Sequence, residues 1–80
     1  MDENMRELDA VVLRRDIPAS GLQAGDLGTV VHSEGRSALV EFVTASGRAE
    51  AILTLDASDV RPVGDDDLIA VRSIQPARRR

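Results

Sequence analysis

No cysteine, tryptophan, tyrosine or lysine occurs in the 80-residue chain, and Phe42 and His32 are the only aromatic and the only histidine. Without cysteine there is no disulfide to staple the fold and no Cys/His cluster to hold zinc, so stability must come from aliphatic packing and a sheet ladder. An oxidising compartment is not implied. With one aromatic, the stacking platforms used by single-stranded nucleic acid and by most glycan or peptide grooves are missing. No apolar run approaches the roughly 18 residues of a membrane span. The acidic start Met1-Asp2-Glu3-Asn4 lacks the basic-then-apolar order of a signal peptide. A cytoplasmic protein with no membrane association is expected.

Positive charge is also scarce. Ten basic residues, all arginine, stand against 14 acidic ones, a net charge of −4, which repels a phosphate backbone instead of gathering counterion-release energy from it. Nucleic acid is disfavoured as a partner. The length allows one domain that buries about 60% of its unfolded surface.

What is present is a glycine run, Gly21-Leu22-Gln23-Ala24-Gly25-Asp26-Leu27-Gly28, leading into Thr29-Val30-Val31. Glycine reaches positive φ without a Cβ clash, so Gly21, Gly25 and Gly28 predict a sharp reversal feeding a strand, with Gly25, Gly28 or both at a φ accessible mainly to glycine. Short strands are predicted at 11–13, 28–33, 38–43, from 48 to 53 or 55, and at 60–63, with a 3₁₀ turn at Asp56-Ala57-Ser58-Asp59. Residues 14–27 read as a long irregular loop folding back on the first strand. Such strand spacing indicates an all-β barrel or sandwich.

Alternation assigns the faces. Ala38, Val40 and Phe42 share one side of their strand, and Ala51, Leu53 and Leu55 share one side of theirs. Phe42 is the largest apolar group, so its side is the predicted core, with Val11, Val30, Val40, Leu53 and Val60 contributing. Leu39, Val43 and Ile52 are left outside, partly under the 14–27 loop and partly open.

Three regions result: a frayed or briefly helical lead-in at 1–7, a domain at 8–63 and an extension at 64–80. Within the extension, Leu68-Ile69-Ala70-Val71-Arg72-Ser73-Ile74 reads as a sixth strand or a short helix, and 76–80 as a disordered basic tail.

With the strands placed, the residues Leu8-Asp9, Val11-Val12-Leu13, Asp16-Ile17-Pro18, Gly21-Leu22, Gly25-Asp26, Gly28-Thr29-Val30-Val31, Val40-Glu41-Phe42, Leu53-Thr54-Leu55 and Asp59-Val60-Arg61-Pro62 resemble the DUF4926 family of small bacterial proteins. The resemblance implies a small SH3-like barrel of about five antiparallel strands, with no established activity. The stretch from Gly21 to Val31 also resembles the turn and strand of KOW-type domains.

Chemistry-bearing residues are few. His32 and Ser33 are adjacent on a strand and point to opposite faces, which prevents a nucleophile–base pair. A surface strand histidine is the plain reading. Asp65-Asp66-Asp67 lacks the spacing and the distal glutamate of a calcium loop and reads as a solvated turn. Asp56 and Asp59 are expected to satisfy backbone amides of the 3₁₀ turn, and Arg61 to pair with one of them or with Glu41. No catalytic, cofactor or metal site, and no small-molecule substrate, is expected.

The expected function is a non-catalytic protein-interaction module, a small acidic partner of a larger protein such as a neutralised toxin or nuclease. The partner is another protein or a second copy, engaged through Leu39, Val43 and Ile52 or through edge pairing by Leu68, Ile69 and Val71. The competing reading is a KOW-like nucleic-acid-associated barrel.

Overall fold

Strands β1 (Ala10–Leu13), β2 (Leu27–Glu34), β3 (Ser37–Val43), β4 (Ala49–Asp56) and β5 (Val60–Pro62) make one sheet in the computed structural model, which describes residues 5–74. All pairings are antiparallel, and the order is β4-β3-β2-β1-β5. The fold is all-β, as the alternation predicts. The sheet does not close: β4 and β5 are its two edges, joined in sequence by a 3₁₀ turn at Ala57–Asp59.

The inner face is built by cross-strand neighbours. Val40 lies opposite Val30 on one side and Leu53 on the other, Phe42 opposite Ala51, and Ala38 opposite Leu55. Val30 and Val40 are completely buried and Phe42, Leu13 and Leu55 nearly so, each contributing about 1.5–3 kcal/mol of transfer free energy. Leu53 is half-buried and packs against this cluster.

An open sheet leaves its inner face in need of cover, and irregular segments supply it. Met5 and Leu22 are buried in the core, and Ile17 and Ile74 pack against it half-buried. The expected frayed lead-in is therefore corrected at its described end. Met5 is anchored in the core, the Leu8 amide donates to the Val30 carbonyl at 2.7 Å, and the Val30 amide donates to the Asp9 carbonyl at 2.9 Å. Met1 to Asn4 and the tail at 76–80 lie outside the described residues.

The 14–27 loop does fold back on β1: the Leu13 amide donates to the Asp26 carbonyl at 2.9 Å, and the Gly25 amide to the Leu13 carbonyl at 2.8 Å. It carries a 3₁₀ turn at Pro18–Ser20 and sends Leu22 into the core.

The two glycines singled out for φ play different parts. Gly25 sits at φ +97°, in the left-handed region, whereas Gly28 has an ordinary strand φ. A Cβ on Gly28 would lie 2.7 Å from Val40 Cγ1 and 2.8 Å from Phe42 Cε2. Gly28 is required by close approach, not by a turn.

Residues 68–74 correct a second expectation. They are neither strand nor helix, and among the described residues no backbone–backbone hydrogen bond joins them to the sheet.

Candidate interaction surfaces

The outer face of β3 and β4 presents the side chains that alternation left outside. Val43 and Ile52 are each 52% exposed, and Leu39 is half-buried beside them. Ile52 stands opposite Glu41, and Leu39 opposite Thr54, so Leu39, Ile52 and Val43 are diagonal neighbours on one surface.

This surface adjoins the free edge of the sheet. The Ala57 amide donates to the Arg36 carbonyl at 2.7 Å. In an antiparallel ladder every second pair from there is hydrogen-bonded, so Leu55, Leu53 and Ala51 spend their backbone groups on β3. The amides and carbonyls of Ile52 and Thr54 therefore point out of the edge. β4 is eight residues long and holds no proline; its bulge opposite Phe42 and Val43 and its charges Glu50 and Asp56 lie toward its two ends, which leaves the Ile52–Thr54 stretch without a device that discourages strand addition.

Leu68, Ile69 and Val71 are 92%, 68% and 96% exposed. Their neighbours Arg72 and Ile74 turn the other way, Arg72 onto the residue 21–27 loop and Ile74 onto the core. The structure brings Val71 and Val43 to one groove of about 570 Å³, which Leu39 and Ile52 do not line. Of the six apolar residues, Leu39 and Ile52 belong to the outer face, Val71 to the groove and Val43 to both, whereas Leu68 and Ile69 line neither.

Arg72 is the functional-looking residue that sequence reasoning passed over. Its Nε donates to Asp26 Oδ1 at 2.8 Å and its Nη2 to Asp26 Oδ2 at 2.6 Å, and Nη2 also donates to the Gly21 carbonyl at 3.0 Å. Asp26 Oδ2 accepts from the Gln23 amide as well, at 2.8 Å. The Arg72 hydrogen bonds, then that amide, hold the Asp26 carboxyl below the usual range, against partial burial that acts the other way. The signal in the sequence was Asp26, within the run quoted for its glycines.

A wider groove of about 790 Å³ is lined by Arg6, Arg14, Arg36 and Arg61 with Asp9 and Ser58. Arg14 Nε donates to the Val60 carbonyl at 3.0 Å, and Arg36 Nη2 to Asp56 at 3.2 Å. Arg61 forks onto Asp67 at 2.8 and 3.0 Å. That corrects the expected pairing of Arg61 with Asp56, Asp59 or Glu41: the extension brings its own carboxylate back to β5. Asp67 also accepts from the Gly64 amide at 2.6 Å, and Arg61 and that amide lower its carboxyl to about 2.

Asp56 and Asp59 do cap the 3₁₀ turn. Asp56 accepts from the Ser58 amide at 2.8 Å, and Asp59 from the Asp56 amide at 3.0 Å. Asp59 also receives Arg15 Nε at 2.9 Å. His32 is a surface residue with Nδ1 at 3.7 Å from Glu7 Oε2. Among the described residues no group of three or more histidine, cysteine or carboxylate side chains is placed to hold a metal ion, and no helix is long and apolar enough to cross a membrane.

Fold and surfaces together define a small, open five-stranded all-β domain whose distinctive features are an apolar outer face, a free edge and two grooves. Residues 7–62 match the family described as Domain of unknown function (DUF4926), and the chain belongs to it. No curated protein matches the chain, and no solved structure does. The match ends with β5, so the segment carrying Asp67, Arg72 and Ile74 lies beyond it.

Proposed function

We infer that the chain is a non-catalytic protein-interaction module of the cytoplasm, the small acidic partner of a larger protein. The observation that carries this reading is the outer face of β3 and β4, where Val43 and Ile52 stay half open beside an edge whose Ile52 and Thr54 backbone groups point outward. A partner that adds a strand there satisfies those groups and covers the aliphatic side chains in one step. The net charge of −4 favours a basic partner surface, such as the active site of a nuclease or toxin.

The test is capture from the native cell by the tagged chain and by its Ile52→Glu variant, with mass spectrometry of what is retained. The expected result is one partner held by the parent and lost by the variant. Equal capture by both would remove the outer face from the argument.

The wider groove favours a second reading, a KOW-like nucleic-acid-associated domain, because four arginines line it. A gel shift of RNA or DNA at physiological salt, abolished by Arg14→Ala, would replace the first reading with the second. The guanidinium groups of Arg14, Arg36 and Arg61 already bond to carboxylates or carbonyls of the chain, which supports the protein-binding reading over it.

A further inference from the structure

We propose that the groove between the residue 21–27 loop and the β3–β4 hairpin is a docking site for an extended peptide that carries arginine two residues before an aliphatic side chain. In this structure the chain's own Arg72-Ser73-Ile74 takes up one side of it and, with Ala70 and Val71, walls the space that stays open. The site meets the outer face only at Val43, since Leu39 and Ile52 take no part in it.

The occupancy itself is the main argument. Two side chains anchor the segment, Arg72 on Asp26 and Ile74 on the core, while Val71 and Ser73 stay exposed along the groove. Recognition divides into two pockets. Asp26, 16% exposed in its side chain, takes the guanidinium as a bidentate fork, and the Gly21 carbonyl accepts a further N–H. That geometry selects arginine over lysine, which presents a point charge without the planar fork. Two residues on, Ile74 meets an apolar wall that includes Leu22 and Phe42.

Charge complementarity sets the sign of the ligand. Besides Asp26 the groove holds Glu50, whose side chain is 5% exposed and whose carboxylate receives Arg48 Nε at 2.9 Å. Arg48 neutralises Glu50 within the groove, and Arg72 neutralises Asp26, so displacing Arg72 leaves the Asp26 carboxylate as the charge that an incoming cation must match. The groove has only Phe42 as an aromatic, so it reads charge and one aliphatic anchor instead of stacking.

The resident segment is held for exchange. Among the described residues its backbone makes no hydrogen bond to the sheet, so side chains alone retain it. Leu68 and Val71 remain more than nine-tenths exposed. A partner peptide with the same arginine and aliphatic spacing competes for the same contacts, and the intramolecular segment lowers its apparent affinity.

The experiment uses the full chain and a fluorescein-labelled synthetic peptide of residues 65–76, titrated by anisotropy. The expected result is saturable binding to the Arg72→Ala chain at least tenfold tighter than to the parent, whose own segment competes. Binding disappears when Asp26→Ala is added, and when the arginine of the peptide is replaced by alanine. Equal binding to the parent and Arg72→Ala, no binding to either, or binding that survives Asp26→Ala overturns the proposal. Should Arg72→Ala fail to fold, Ile74→Ser releases the other anchor and is titrated with the same peptide under the same criteria. Light scattering on the parent covers the remaining occupant: a stable dimer that Arg72→Ala makes monomeric would assign the groove to a second copy and overturn the partner reading.

Discussion

Replacing Gly28 by alanine tests the core from its tightest point. The added Cβ would stand 2.7 Å from Val40 Cγ1, 2.8 Å from Phe42 Cε2 and 3.0 Å from Phe42 Cζ, against about 3.5–4.0 Å for carbon atoms at optimal separation. Val40 is fully buried and has no open space into which to retreat, and Phe42, 4% exposed, can move only toward the groove that it lines. Overpacking of this kind costs about 1–3 kcal/mol, a large part of the roughly 5–15 kcal/mol that holds a domain together. At about 4–8 °C per kcal/mol for a domain of this size, Gly28→Ala lowers Tm measurably. The chain has no tryptophan or tyrosine, so thermal melts are followed by far-UV circular dichroism. A double-mutant cycle isolates the cause: in a Val40→Ala background one of the clashing groups is gone, and Gly28→Ala costs less by about 0.5–3 kcal/mol. Gly25→Ala is the control. At φ +97° with nothing within 4 Å of its Cβ, its cost is backbone strain, which Val40→Ala leaves unchanged. A Gly28→Ala chain with the parental Tm, or a strictly additive cycle, refutes the close-approach argument.

Three further outcomes are expected. Phe42→Ala removes the largest core side chain and costs about 3–5 kcal/mol, read as a collapse of the thermal transition or a Tm far below the parent. Asp67 titrates at about 2 in the fold against an ordinary 3.8, so its contribution is complete above 3.8 and lost as the pH falls through about 2. Melts across that acid window show a shallower decline for Asp67→Asn than for the parent, and parallel curves would contradict the Arg61–Asp67 anchor. Leu8 lies at φ +75° and is 82% exposed. Leu8→Gly relieves about 1–2 kcal/mol of left-handed strain and loses roughly 0.5–1 kcal/mol to glycine's entropy, so Tm rises slightly; a fall would show that the leucine side chain holds the turn.

The strands and their faces were legible because a sheet with one buried side writes a period of two into its residues. Ala38, Val40 and Phe42 turned inward and Leu39, Val43 and Ile52 outward, as alternation requires. The reversal at Gly25 was legible for a local reason, since positive φ leaves a glycine in the sequence. Gly28 carries the same letter for a different cause, and only the approach of Val40 and Phe42 from β3 reveals it.

Met5, Ile17, Leu22 and Ile74 were not legible as core residues. They sit on irregular backbone, where no period links a side chain's position in the sequence to the face it occupies. The partners of Arg61 and Arg72 were hidden likewise: Asp67 was read as one of three solvated carboxylates, and Asp26 lies 46 residues from Arg72. The sequence alone determines an all-β chain, its strands and its inner and outer faces, because those follow from local sterics and hydrophobic periodicity. Tertiary structure alone decides that the sheet stays open, that irregular segments cover its inner side, and that Arg72 and Ile74 line a groove, because each depends on which distant residues the closed chain brings within a few ångströms.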